Sequence, residues 1–153
     1  MLSCSKIPTP PPIGDNLNPV KSFKVFGEPI DILTTGEMTN GRSCMLIQTS
    51  PPGGGPPPHS HQNEDETFYV LEGDFEIFSG GQWSKLALGE AVQGNRDAVH
   101  TFRNAGTTTG RMLIFASPAG LEKYLEEISV LSIPQDMPQI LAISERYGIK
   151  FAL

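Results

Sequence analysis

"GGGPPPHSHQNEDETFYVLEG", residues 53–73, sets two histidines one residue apart, behind a Gly/Pro run and ahead of Glu64, Asp65 and Glu66. Side chains alternate along an extended segment, so His59 and His61 point to the same side. Glu66 opens a strand-like run in which Phe68 and Val70 share its parity. A carboxylate leading a row of apolar side chains suits a site at the mouth of an apolar barrel. The residues between His61 and Glu66 leave room for a turn that brings the carboxylate round to the imidazoles. Consecutive prolines cannot pair as a central strand and stiffen the approach, while the glycines permit close backbone contact. The bland alternative is a polar surface loop, and for Asn63, Glu64 and Asp65 a solvated acidic turn is the preferred reading.

The chain holds three histidines, and the third, His100, lies in another strand-like segment, "AVHTFRN", with Phe102 and Asn104 on its side. A lone His on an apolar strand is usually a hydrogen-bonded core residue. With His-x-His upstream, the balance moves toward a metal site. Imidazole and carboxylate together suit one divalent transition metal ion, Fe, Mn, Ni, Co or Zn, and no nearby thiolate suggests a structural zinc knuckle.

Outward from these segments, short alternating or apolar runs recur from Ser22 to Pro118, bounded by Gly, Asn and Pro turns. Such spacing implies a β-sandwich or barrel. The chain of 153 residues is one ordinary domain. It divides into an extended Pro-rich arm over 1–20, a β-barrel over 21–117 and a helical extension over 118–153. In the extension, Ser117 and Pro118 suit a helix start, with Leu121, Tyr124, Leu125 and Ile128 on one face and Glu122, Lys123, Glu126 and Glu127 on the other. A second helix is expected from Asp136 to Tyr147, stopped by Gly148. A net charge of −6 argues against nucleic-acid or anionic-membrane partners, and no apolar run reaches transmembrane length. The first fourteen residues lack the apolar stretch of a signal peptide, and Cys4 and Cys44 form no spacing motif. The expectation is a cytoplasmic protein with reduced thiols.

Gly53, His59, His61, Glu66 and Gly73 fill every position of the first motif of the cupins, G(x)5HxH(x)3–4E(x)6G, with its spacing. Gly89, His100 and Asn104 fit the second, with Asn95 and Asp97 where proline and glycine are usual. The chain resembles these small double-stranded β-helix (jelly-roll) barrels, and its flanks resemble a quercetin-dioxygenase-like subgroup. The resemblance implies an all-β barrel with C-terminal α-helices and a metal held by His59, His61, Glu66 and His100, two adjacent coordination positions remaining open. It also implies a small-molecule substrate, foremost a phenolic or enolic compound undergoing dioxygenation, with Glu66 doubling as general base. The alternatives are a metal-dependent isomerase or decarboxylase, or a small-molecule binder without catalysis.

Phe68, Val70, Phe102 and Phe115 are the expected pocket lining. Arg103 has parity opposite to His100 and belongs outside, while Trp83 reads as a packing residue on a hairpin. Tyr69 and Leu71 face outward from the Glu66 strand and need a cover, which predicts a homodimer.

Overall fold

Two-residue alternation governs the chain from Lys21 onward. The structure, a computed structural model, describes residues 18–152; the expected N-terminal arm lies almost wholly outside the described residues. β1 (Lys21–Val25) and β2 (Glu28–Thr34) form a hairpin, followed by one helical turn, α1 (Gly36–Thr39), and β3 (Cys44–Ser50). The opening stretch supplies β4 (His59–His61) and β5 (Asp65–Glu72). Four more strands follow, β6 (Phe75–Ser79), β7 (Gln82–Leu86), β8 (Ala91–Gly94) and β9 (His100–Asn104), and then the long β10 (Gly110–Ser117). The chain closes with α2 (Leu121–Ile128), α3 (Met137–Arg146) and β11 (Ile149–Phe151).

Every strand pairing is antiparallel, in two sheets ordered β1-β2-β3-β10-β5-β8 and β11-β4-β9-β6-β7. This is the expected double-stranded β-helix. The inner faces share a core of Leu46, Phe68, Val70, Phe75, Phe102, Met112 and Ile114. Burying each such side chain is worth about 1.5–3 kcal/mol, so the alternation itself selects the register. β10 shows the rule at work: Met112, Ile114 and Ala116 are buried, whereas Phe115 is 40 % exposed. Phe115 therefore lies on the outer face, which corrects its assignment to the pocket. Val70 is fully buried but belongs to the core beneath the cavity and does not line it.

The Gly/Pro run is a docking strip against the end of β9. Gly53 N donates to the Asn104 carbonyl and Asn104 N donates to the Gly54 carbonyl, both at 2.8 Å. Thr101 Oγ1 donates to the Pro56 carbonyl at 2.5 Å. Gly55 has φ +150°, and a Cβ there would collide with the Phe102 carbonyl. Glycine is required because backbone meets backbone with nothing flexible between.

The C-terminal third departs from expectation in three places. Ser117 does not cap a helix: it stays paired with Asp65 in the sheet, and its hydroxyl donates to the Arg42 carbonyl at 2.9 Å. Glu122 does not face solvent. It is buried, accepting from Gly36 N at 2.9 Å and Gly120 N at 2.8 Å, and these bonds hold its carboxyl below the usual range although burial alone would raise it. Burial and the adjacent Glu122 push the Cys44 thiol up to about 12. The third departure is β11, too short to read from three residues, which returns the chain to the second sheet. α3 matches its expected span, and Gly148 ends it at φ +73°.

Substituting the glycines should separate conformational from steric cost. Gly53, at φ +78° with open space around its Cβ position, should lose about 1 kcal/mol on change to Ala. Gly55→Ala should lose about 3 kcal/mol or more, because the β9 backbone must move. Urea denaturation of the two variants checks the order.

Candidate metal centre

β4 presents His59 and His61 from one sheet, β9 presents His100 beside them, and β5 brings Glu66 from the other sheet. His59 and His100 are directly paired across the β4–β9 ladder. One donor atom from each of His59, His61, Glu66 and His100 lies within 4.8 Å of the others. Donors on opposite sides of a metal with bonds near 2.1 Å sit about 4.2 Å apart, so the four atoms already surround a volume of the right size. The four residues singled out in the sequence thus converge.

The imidazoles are oriented from behind. His59 Nδ1 donates to the Pro57 carbonyl at 2.7 Å, His100 Nδ1 to the Ala98 carbonyl at 2.9 Å, and His61 Nδ1 to Glu64 Oε1 at 2.7 Å. Each bond puts a proton on Nδ1 and turns Nε2 toward the shared centre. Inside it, Glu66 Oε2 is 2.8 Å from His100 Nε2 and 3.1 Å from His61 Nε2. The His61 contact lacks hydrogen-bond geometry, so His61 Nε2 is a buried polar atom without a hydrogen-bond partner among the described residues. A buried acceptor left this way is costly, and a metal ion satisfies it. The nitrogen-and-oxygen donor set, free of sulfur, fits a divalent transition metal.

The electrostatics agree. Burial drives the His59 imidazole down to about 4 against the attraction of Glu66, and His61 and His100 depress it further. Burial acts on His61 in the same direction, but the Glu66 charge and the hydrogen bond and charge of Glu64 outweigh it and raise that imidazole. Burial would raise Glu66, yet His61, His100 and His59 bring it down to about 2. The field at the centre favours a cation.

Glu64 corrects the reading of the acidic turn. It is 5 % exposed and accepts from His61 Nδ1, so it is not solvated. Composition could not distinguish it from Asp65, which binds Arg96 at the surface, or from Asn63, whose amide donates to the Tyr147 carbonyl. Asp97, where the second motif usually has glycine, adopts φ +61° and donates its N–H to the His61 carbonyl at 2.8 Å. Aspartate tolerates that left-handed conformation, so the turn into His100 survives the replacement.

The centre opens into a cavity of about 250 Å³. Phe68 and Phe102 line it. The sequence reading missed its other walls: Leu121, Tyr124 and Ile128 of α2, and Ile149 and Phe151 of β11. Arg103 lies outside, bound to Glu76 and 4.2 Å above the Trp83 ring. No helix among the described residues is long and apolar enough to cross a membrane.

The sequence model of the family described as "Cupin domain" matches residues 46–116. An uncharacterised protein of Aquifex aeolicus (strain VF5) is 30 % identical over 109 residues, covering 71 % of this chain and 86 % of that protein. Among solved structures, an RmlC-like cupin from Shewanella frigidimarina aligns with TM-score 0.58 and 18 % identity, over 72 % of this chain and 96 % of that one. A predicted oxalate decarboxylase from Thermotoga maritima aligns with TM-score 0.57 and 21 % identity, over 60 % and 80 %. These structures share the fold.

Removing the partner of His61 should test the orienting role. Glu64→Ala should weaken metal binding by about 10–100-fold with an unchanged circular dichroism spectrum, whereas Asp65→Asn should leave affinity as it was. Titration of the metal-free protein with Co(II) reads both.

Proposed function

Since this chain belongs to the cupin superfamily and focuses three imidazoles and a carboxylate at the end of an apolar cavity, we propose that it is a metal-dependent enzyme acting on a small molecule, a dioxygenase of a phenolic or enolic compound. The observation that carries the reading is the chemistry of the cavity. Four donor atoms stand at one end and apolar side chains line most of the rest, which suits a substrate with a chelating oxygen pair and an apolar remainder.

When bound, a divalent metal supplies Lewis acidity and, if redox-active, access to oxygen chemistry. His59, His61 and His100 would hold it, with Nε2 of each ring facing the centre. Glu66 has two tasks, as a ligand and as the acceptor of the proton a substrate hydroxyl gives up on chelation. The ring of Phe68, 5.6 Å from His100, together with Phe102, excludes water on the barrel side. α2 closes the opposite side through Leu121, Tyr124 and Ile128.

A homodimer is the assembly we propose. On the outer face of the first sheet, Tyr69 and Leu113 are paired across β5 and β10, with Phe115 and Met45 in a neighbouring row. An apolar sheet face of this kind suits a two-fold interface between copies of the chain. Light scattering at micromolar concentration should give a dimer, and Phe115→Glu a monomer; a monomeric parent chain overturns the proposal.

Glu66→Gln separates the two tasks of the carboxylate. It should keep most of the metal but lower turnover by about 10²–10⁴-fold. Metal content and oxygen uptake, measured with a panel of catechols, flavonols and diketones, check it. Full activity in the variant removes Glu66 from proton transfer, and turnover without oxygen redirects the reading to isomerisation or decarboxylation.

A further inference from the structure

The cavity has a second polar locus, at the end away from the metal ligands. Gln48 and Glu28 both line it. Glu28 is anchored by three donors: Gln48 Nε2 at 2.8 Å and Ser50 Oγ at 2.5 Å on Oε2, and Gly55 N at 2.8 Å on Oε1. These bonds resolve the orientation of the Gln48 amide. Its NH2 must face the carboxylate, which only accepts, so its Oε1 is turned away from Glu28. No hydrogen bond to Gln48 Oε1 exists among the described residues.

Sheet register gives the separation. Glu66 pairs with Ala116, and Ala116 with Cys44; Gln48 lies four residues beyond Cys44 on β3. The two backbones are therefore about 13 Å apart along the strands and about 10 Å across them. A molecule that reaches both must be elongated. Between the two ends the walls are apolar, and the one hydroxyl on them among the described residues, that of Tyr124, is engaged by Ser144 at 2.9 Å. Among the described residues no lysine or arginine lines the cavity, so an anionic group remote from the metal would meet Glu28 without a counter-charge.

We infer that the cavity selects an elongated, uncharged aromatic molecule that chelates the metal at one end and donates a hydrogen bond to Gln48 Oε1 at the other. Gln48 is thus a specificity-determining residue and Glu28 its positioning partner. The inference rests on the metal-site reading above and narrows its substrate class.

The test uses the Co(II)-loaded full chain under argon, with calorimetric titration of three probes. They are 4-phenylcatechol and the same molecule bearing a para-hydroxyl or a para-carboxylate on the second ring. The hydroxyl compound should bind about tenfold more tightly than the parent, the value of one added hydrogen bond, and the carboxylate more weakly than either. In Gln48→Met the hydroxyl compound and the parent should bind with equal affinity. Equal binding of parent and hydroxyl compound to the unaltered protein, which needs no variant to fold, overturns the inference alone. Binding of none of the three overturns it together with the metal-site reading. A preference that persists in a folded Gln48→Met protein removes Gln48 as its source.

Discussion

A carboxylate buried in a barrel must be compensated at close range, and the compensation of Glu66 organises this molecule. Its neighbours are imidazoles, which are weaker partners than a guanidinium and carry no fixed charge. The arrangement therefore stays incompletely satisfied, with His61 Nε2 unpaired and His59 driven toward neutrality. That residual field is the useful product, because it prepares the four donor atoms for a cation that the rest of the fold has only to admit. Two backbone carbonyls and Glu64 then fix which nitrogen of each ring faces the centre. The Gly/Pro run matters for the same reason. It ties the segment before His59 to the end of β9, so that β4 and β9 reach the site as one unit.

Much of this was legible in the residues. Strand parity places His59, His61 and Glu66 on inner faces, and the same rule puts Tyr69 and Arg103 outside. The assignment of Phe115 to the pocket had no parity argument to fix its phase: Ala116 and Ile114 carry the inner positions of β10. Parity was silent on depth, since Val70 and Phe68 share a face but only Phe68 reaches the cavity.

Charged side chains were the harder problem. Glu64 and Glu122 look like surface acids because local composition cannot report a long-range partner. Glu122 is paired with backbone N–H groups at Gly36 and Gly120, and Gly36 is distant in sequence. Glu64 is near its partner, but only the turn geometry decides whether it bends toward His61 or toward water. The polar pair Gln48 and Glu28 escaped for the same reason, as neither stands in a motif and they meet only through the pairing of β2 with β3.

The pairing of β11 with β4 has a temporal meaning. Residues 149–151 form a ladder with residues 59–61, so the strand that carries two metal ligands gains its outer neighbour only after the whole barrel has been synthesised. Until then its other ladder is a single pair with β9. Closing so long a loop is entropically late, and contacts of high sequence separation form slowly. The strand that completes the neighbourhood of His59 and His61 is thus the last element among the described residues to be made.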